Sequence, residues 1–186
     1  MRSFASPVLS AAAAVAIAAA ASGEPLAETA ARPPEPAIGF HESPEGVAGV
    51  KARLYVAAEP GRVWGVVTDP SKASKLFKNV AAIRPSTKEA GLWDYHVTSV
   101  LGEQVVTCKI SRDDGRHRLH WKRVGGCLAD MYGYYELSEE PAYPGYTRVD
   151  YGSYIDPGGI GRVLMTNGKR RTAVLYMISQ LRGMTE

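Results

Sequence analysis

Strand-like runs follow one another from Val80 to Ile155 with separators too short for a crossover, and this pattern constrains the fold more than any other feature of the chain. The runs are Val80–Ser86, Leu92–Leu101, Gln104–Arg112, Arg116–Val124, Met131–Ser138 and Thr147–Ile155. Between them stand Gly91, Gly102-Glu103, Asp113-Asp114-Gly115, Gly125-Gly126 and the stretch from Pro141 to Gly145, all rich in turn formers. Parallel neighbours need a crossover of about a dozen residues, so runs joined this tightly pair antiparallel.

An earlier strand is written in Val47–Ala57: Val50, Ala52, Leu54 and Val56 fall on one side, Lys51, Arg53 and Tyr55 on the other. Glu59-Pro60 then opens a short helix carrying Val63, Trp64, Val66 and Val67, which Asp69-Pro70 stops. Ser71 is placed to cap a second helix with Ala73, Leu76 and Phe77 inward and Lys72, Lys75 and Lys78 outward. After Pro157-Gly158-Gly159, the residues Ile160, Leu164, Val174, Ile178 and Leu181 form one helical stripe about 24 residues long, with a bend expected at Gly168. The expected fold is α+β: a curved antiparallel sheet of about seven strands wrapped around a long C-terminal helix, with two short helices after the first strand. A sheet with one apolar face must bury it, and that helix is the element long enough to do so.

The ends of the chain read differently. Residues 1–23 hold a single charge, Arg2, and an unbroken small or apolar stretch from Val8 to Ala21, the layout of a signal peptide. As a helix that stretch would reach about 21 Å, short of a roughly 30 Å hydrocarbon core. Residues 24–45 carry Pro25, Pro33, Pro34, Pro36 and Pro44 and read as a disordered linker. The domain proper is then 46–186, in a protein expected to be exported, periplasmic or secreted, and a monomer. With 22 Lys and Arg against 19 Asp and Glu, the net charge of +3 is too small and scattered for a nucleic-acid footprint.

Inward parity puts Trp93, Tyr95 and Val97 on one strand's buried face, Val106, Cys108 and Ile110 on the next, then Leu119 and Trp121. Met131, Tyr135, Leu137, Val149, Tyr151 and Ile155 complete it. Tyrosine and tryptophan bring apolar area with a polar tip that wants a partner, which suits a pocket better than a dry core, although most inward aromatics simply pack. Ser99, Arg123, Ser153, Asn167 and Arg171 are the polar groups placed to enter such a cavity.

These residues resemble a known family. Val63-Trp64-Gly65-Val66-Val67-Thr68-Asp69-Pro70 is similar to the first helix of the START-like, helix-grip (SRPBCC) superfamily, which includes polyketide cyclase and coenzyme Q-binding branches. Gly133-Tyr134-Tyr135-Glu136-Leu137 and Thr147-Arg148-Val149-Asp150-Tyr151 resemble two of its strands, with Tyr135 where Trp is commoner. Asp156-Pro157-Gly158-Gly159, with Asn167 in the helix beyond, resembles the coenzyme Q-binding and cyclase branch. The resemblance implies a cavity between sheet and helix that holds or transfers a hydrophobic small molecule, a lipid, isoprenoid or quinone. Its expected lining is Trp93, Tyr95, Val97, Trp121, Met131, Tyr135, Tyr151, Leu164, Asn167 and Arg171. The alternatives are a cyclase or aromatase acting on a polyketide-like chain and an interaction domain with a collapsed interior.

Other chemistry finds little support. The four histidines, His41, His96, His117 and His120, have no metal-ligand spacing, and no nucleophile, phosphate-loop or zinc-hydrolase motif occurs, so no catalytic residue, metal or cofactor is expected. Asp113-Asp114-Gly115 reads as a hairpin turn rather than a carboxylate pair. Cys108 and Cys127 are expected to stay free thiols, on the reasoning that a third strand would separate them in a simple meander. Lys169-Arg170-Arg171 offers a transient contact with an anionic membrane surface, although an arginine on a helix more often just reaches water.

Overall fold

A computed structural model describes residues 32–99, 102–159 and 161–186, so the expected signal peptide and Ile160 lie outside the described residues. Eight strands form one antiparallel sheet: β1 (Ala37–Glu42), β2 (Ala48–Val56), β3 (Val80–Pro85), β4 (Leu92–Ser99), β5 (Gly102–Asp113), β6 (Arg118–Gly126), β7 (Asp130–Glu139) and β8 (Thr147–Asp156). Their spatial order is β1-β2-β8-β7-β6-β5-β4-β3, a meander from β3 to β8 with the N-terminal hairpin joined to its far edge.

The short separators produced the antiparallel pairing they require, and the alternation read in each run sets which side faces inward. Val50, Ala52, Leu54 and Val56 of β2 are buried, as are Leu137, Val149 and Tyr151 across β7 and β8. One strand differs from expectation. Residues 37–42, read as part of a linker, pair with β2 from Ala37↔Arg53 to Glu42↔Ala48. The prolines that suggested disorder, Pro33, Pro34, Pro36 and Pro44, flank this strand rather than interrupt it, and Ile38 between them packs on the core.

Between β2 and β3 lie α1 (Pro60–Val67), α2 (Pro70–Ala73) and one 3-10 turn, Ser74–Leu76. Asp69, not Ser71, is the cap of α2: its carboxylate accepts from the Ser71 and Lys72 amides, with Pro70 in the first helical position where no N–H is needed. Asp69-Pro70 therefore ends one helix and starts the next.

The C-terminal helix is two pieces, α3 (Gly161–Leu164) and α4 (Asn167–Thr185). Thr166 caps α4 by accepting from the Lys169 amide, so the break falls just before Gly168. Val174, Met177, Ile178, Leu181 and Thr185 form its buried stripe, at the spacing of one helical face. α4 runs closest to β2, α1 and the 3-10 turn, and the central strands face it across the concave side through long side chains.

One end of this grip is heavily cross-linked. Trp64 Nε1 donates to Asp114 Oδ1 at 2.7 Å, Thr147 Oγ1 to the Ala58 carbonyl at 2.6 Å, and Arg182 to the Tyr55 carbonyl at 3.0 Å. The Ala57 amide donates to Glu186. Asp113-Asp114-Gly115 is the expected turn, with Asp114 additionally tying the β5–β6 hairpin to α1.

Candidate functional site

The concave face between the central strands and α4 gathers most of the residues read as a lining. Tyr95, Trp121, Met131, Tyr135 and Tyr151 are buried there, and Trp93 and Val97 half-buried. Trp121, Tyr135 and Tyr151 form a triangle of rings with centroids 5.5, 6.2 and 5.0 Å apart. The triangle depends on Gly133: a Cβ there would run into the Trp121 ring and the Gly152 carbonyl, so the glycine gives the indole its bed on the sheet. Sequence reading passed over Gly133 as part of a motif; a glycine inside a tyrosine-rich strand was the signal for this close approach.

Leu164, Asn167 and Arg171 are not brought to this face; all three are exposed. The break at 165–166 shifts the phase between α3 and α4, so Leu164 leaves the stripe that Val174, Ile178 and Leu181 keep. Residues 167–173 are exposed or half-buried, which leaves Asn167 and Arg171 on a part of the helix that the sheet does not cover. Among the polar candidates, Ser153 is buried beside Tyr151, and Arg123 is half-buried on the concave side in register with Cys108. The Ser99 side chain lies outside the described residues.

The polar tips on this face are chemically uneven. Tyr135 Oη is buried with no hydrogen-bond partner among the described residues, and so is Arg123 Nε, while Arg123 Nη2 donates to the Gly126 carbonyl at 3.0 Å. Burial pushes the Tyr135 and Tyr95 hydroxyls well above the usual phenol range. It pushes Tyr151 up to about 12, partly offset by its hydrogen bond with Ser153, and Cys108 up to about 12. Each of these groups is therefore held in its neutral, protonated form, a donor rather than a base.

The two thiols are free, but the expected reason does not hold. β5 and β6 are direct neighbours, and the Cys127 amide donates to the Val105 carbonyl. What separates the thiols is position and direction: Cys108 is buried on the concave face, while Cys127, beside Val105 and just past Gly126 with φ 101°, is exposed. Among the described residues no three of His, Cys, Asp and Glu converge as metal ligands would.

The convex side carries an open groove of about 660 Å³, lined by His41, Lys51, Arg53, Tyr134, Glu136 and Asp150 among others. Two of its charges pair directly, with Arg53 Nε 2.7 Å from Asp150 Oδ1. The chemistry of unpartnered groups and buried aromatics therefore selects the concave face as the candidate site.

Solved structures agree with this architecture. A START superfamily protein from Mycobacterium smegmatis superposes with a TM-score of 0.59 at 10% identity, covering 74% of this chain and 96% of its own. The chain has the START-like helix-grip fold. The Zhui aromatase/cyclase of Streptomyces matches at TM-score 0.50 and 16% identity over 73% of this chain and 85% of its own. A major latex-like protein of Panax ginseng matches at 0.52 and 7% over 74% and 97%. No protein-family model matches the sequence, and no curated protein does. At these identities the likeness is one of fold.

Proposed function

We propose that this chain is an exported binding protein that holds or transfers a hydrophobic small molecule, of lipid, isoprenoid or quinone type, against the concave face of its sheet. The observation that carries the reading is the Tyr135 hydroxyl, buried among aromatic rings without a partner among the described residues. An orphaned buried hydroxyl costs about 1–3 kcal/mol, which a finished dry core avoids and a ligand site recovers when occupied. The direct ring contacts of Trp121, Tyr135 and Tyr151 favour the collapsed interaction domain; the orphaned hydroxyl weighs against it. A cyclase needs a group that exchanges a proton near neutral pH. Tyr95, Tyr135, Tyr151 and Cys108 are all pushed upward from their ordinary values, which favours holding over conversion. Export rests on the uncharged stretch from Val8 to Ala21.

The test is native followed by denaturing mass spectrometry of the chain purified from the exported fraction. A stoichiometric, non-covalent small molecule is expected, lost from Trp121→Ala and Tyr151→Ala and retained by Arg171→Ala. A cyclase would instead keep substrate and lose turnover when its acid or base is removed. A protein that comes out empty and takes up no apolar dye overturns the reading.

A further inference from the structure

Among the described residues, the buried side-chain atoms left without partners on the concave face are Tyr135 Oη and Arg123 Nε, both able to donate. A ligand oxygen able to accept would satisfy either of them. Which acceptor is decided by the surroundings of Tyr135. Burial dominates the electrostatics of its hydroxyl, and the titratable neighbours that raise it further are the phenols of Tyr151 and Tyr95, both held neutral. Arg123 springs from farther along the sheet: Tyr135 registers with Leu119, and Arg123 is four positions beyond Leu119 on β6, roughly 13 Å along the strand. A carboxylate seated at Tyr135 would be a buried charge without a counter-ion, which is strongly unfavourable. A ketone, ester or quinone oxygen accepts one hydrogen bond and asks for nothing further.

Resting on the ligand-holding reading above, we propose that the molecule bound on this face carries a neutral carbonyl oxygen that accepts from the Tyr135 hydroxyl, making Tyr135 the residue that selects carbonyl-bearing apolar ligands over hydrocarbons and carboxylates. The oxygen lies beside the Trp121–Tyr135–Tyr151 rings, and the apolar body extends along the concave face.

Three matched fluorescent probes separate these classes: the naphthyl ketone prodan, dimethylaminonaphthalene lacking the acyl group, and the corresponding dimethylaminonaphthoic acid. Binding is titrated for the full chain and for Tyr135→Phe. The ketone is expected to bind the unaltered chain about tenfold more tightly than either analogue, and Tyr135→Phe to remove that advantage while leaving the deacylated probe unchanged. The infrared carbonyl stretch of bound prodan is expected at lower frequency in the unaltered chain than in Tyr135→Phe. A melting temperature of Tyr135→Phe at or above that of the unaltered chain would show that the hydroxyl makes no internal bond. Equal affinity for ketone and deacylated probe overturns this inference and leaves the binding reading standing. Tightest binding of the acid overturns the neutral class. Failure of every probe to bind the unaltered chain overturns the binding reading, and the inference with it.

Discussion

The two ends of the grip are built on opposite terms. At the α1 end, β2, β8, the β5–β6 hairpin, α1 and the last turn of α4 are tied by hydrogen bonds between elements far apart in sequence: Thr147 to Ala58, Trp64 to Asp114, Arg182 to Tyr55. Leu54, Val56, Val63 and Leu181 fill the space behind them and are completely buried. At the α3 end the pattern reverses. Phe40 of β1, Val105 of β5, Val124 of β6, and Val163 and Leu164 of α3 are exposed, Val163 to 78%. Ties there include the Asp156–Arg162 ion pair between the end of β8 and α3, with Arg162 largely exposed, and the donation of Tyr132 Oη to Glu45. A domain that sealed both ends equally would have no reason to leave apolar side chains at one of them. The contrast places the better-tied core at the α1 end and the more exposed apolar side chains at the α3 end.

The largest expected effect tests that division. Leu181→Ala removes a fully buried side chain from the core around α1 and β2, and should cost about 2–5 kcal/mol in denaturant unfolding. Leu164→Ala, at 51% exposure on α3, should stay within about 0.5 kcal/mol. Comparable losses at the two positions would show α3 to be packed, and the contrast would fail.

The unequal legibility of the two ends has a physical cause. The stripe of Val174, Ile178 and Leu181 and the helix signal at Glu59-Pro60 could be read because burial at the α1 end enforces periodicity on every element that passes through it. Concave-face residues such as Trp121 and Tyr151 were legible for the same reason, since strand parity fixes direction once one face is buried. At the α3 end nothing enforces phase. Leu164, Asn167 and Arg171 were assigned by extending a helical period backward across a break that Thr166 makes by capping a new helix. β1 was missed because flanking prolines outweighed four strand residues, Ile38 to His41, whose pairing with β2 is a matter of long-range closure. The orphaned Tyr135 hydroxyl is a relation among three strands, and no local pattern encodes it.

Alkaline titration sharpens the comparison by asking how far water reaches inward from the α3 end. Tyr151 is pushed up to about 12 by burial, and Tyr95 and Tyr135 move in the same direction. In the unfolded chain a tyrosine titrates near 10, so the folded state keeps these protons while the unfolded state loses them. The stability they contribute is fully present below pH 10 and is lost as the pH rises through 10 toward 12. Tyr151 alone accounts for about 2–3 kcal/mol over that interval. Ultraviolet titration should therefore find three tyrosines that ionise only with unfolding. Ionisation of all tyrosines near pH 10 in the folded state would mean that water enters the concave face freely.

A smaller effect of opposite sign belongs to the α1 end. Gly65 sits inside α1 with nothing within 4 Å of where a Cβ would stand. Gly65→Ala should stabilise by about 0.5–1 kcal/mol through helix propensity, shifting the denaturation midpoint upward. A loss of stability would reveal a tight approach in the sealed end.

Thiol chemistry probes the comparison without perturbing the fold. Cys127 is exposed at the α3 end of β6, whereas Cys108 points into the interior and is pushed up to about 12 by burial, only partly relieved by the positive charge of Arg123. At pH 8 a thiol with that pKa is ionised to about one part in ten thousand, and the thiolate is the reactive form. One equivalent of an aromatic disulfide reagent should therefore react at once, and the second only in denaturant. Because the reagent is itself a small aromatic molecule, it also samples the path a ligand would take. If Cys127→Ser still reacted rapidly at Cys108, the interior would stand open to small aromatic molecules, and the α3 end would be the looser of the two in solution as well.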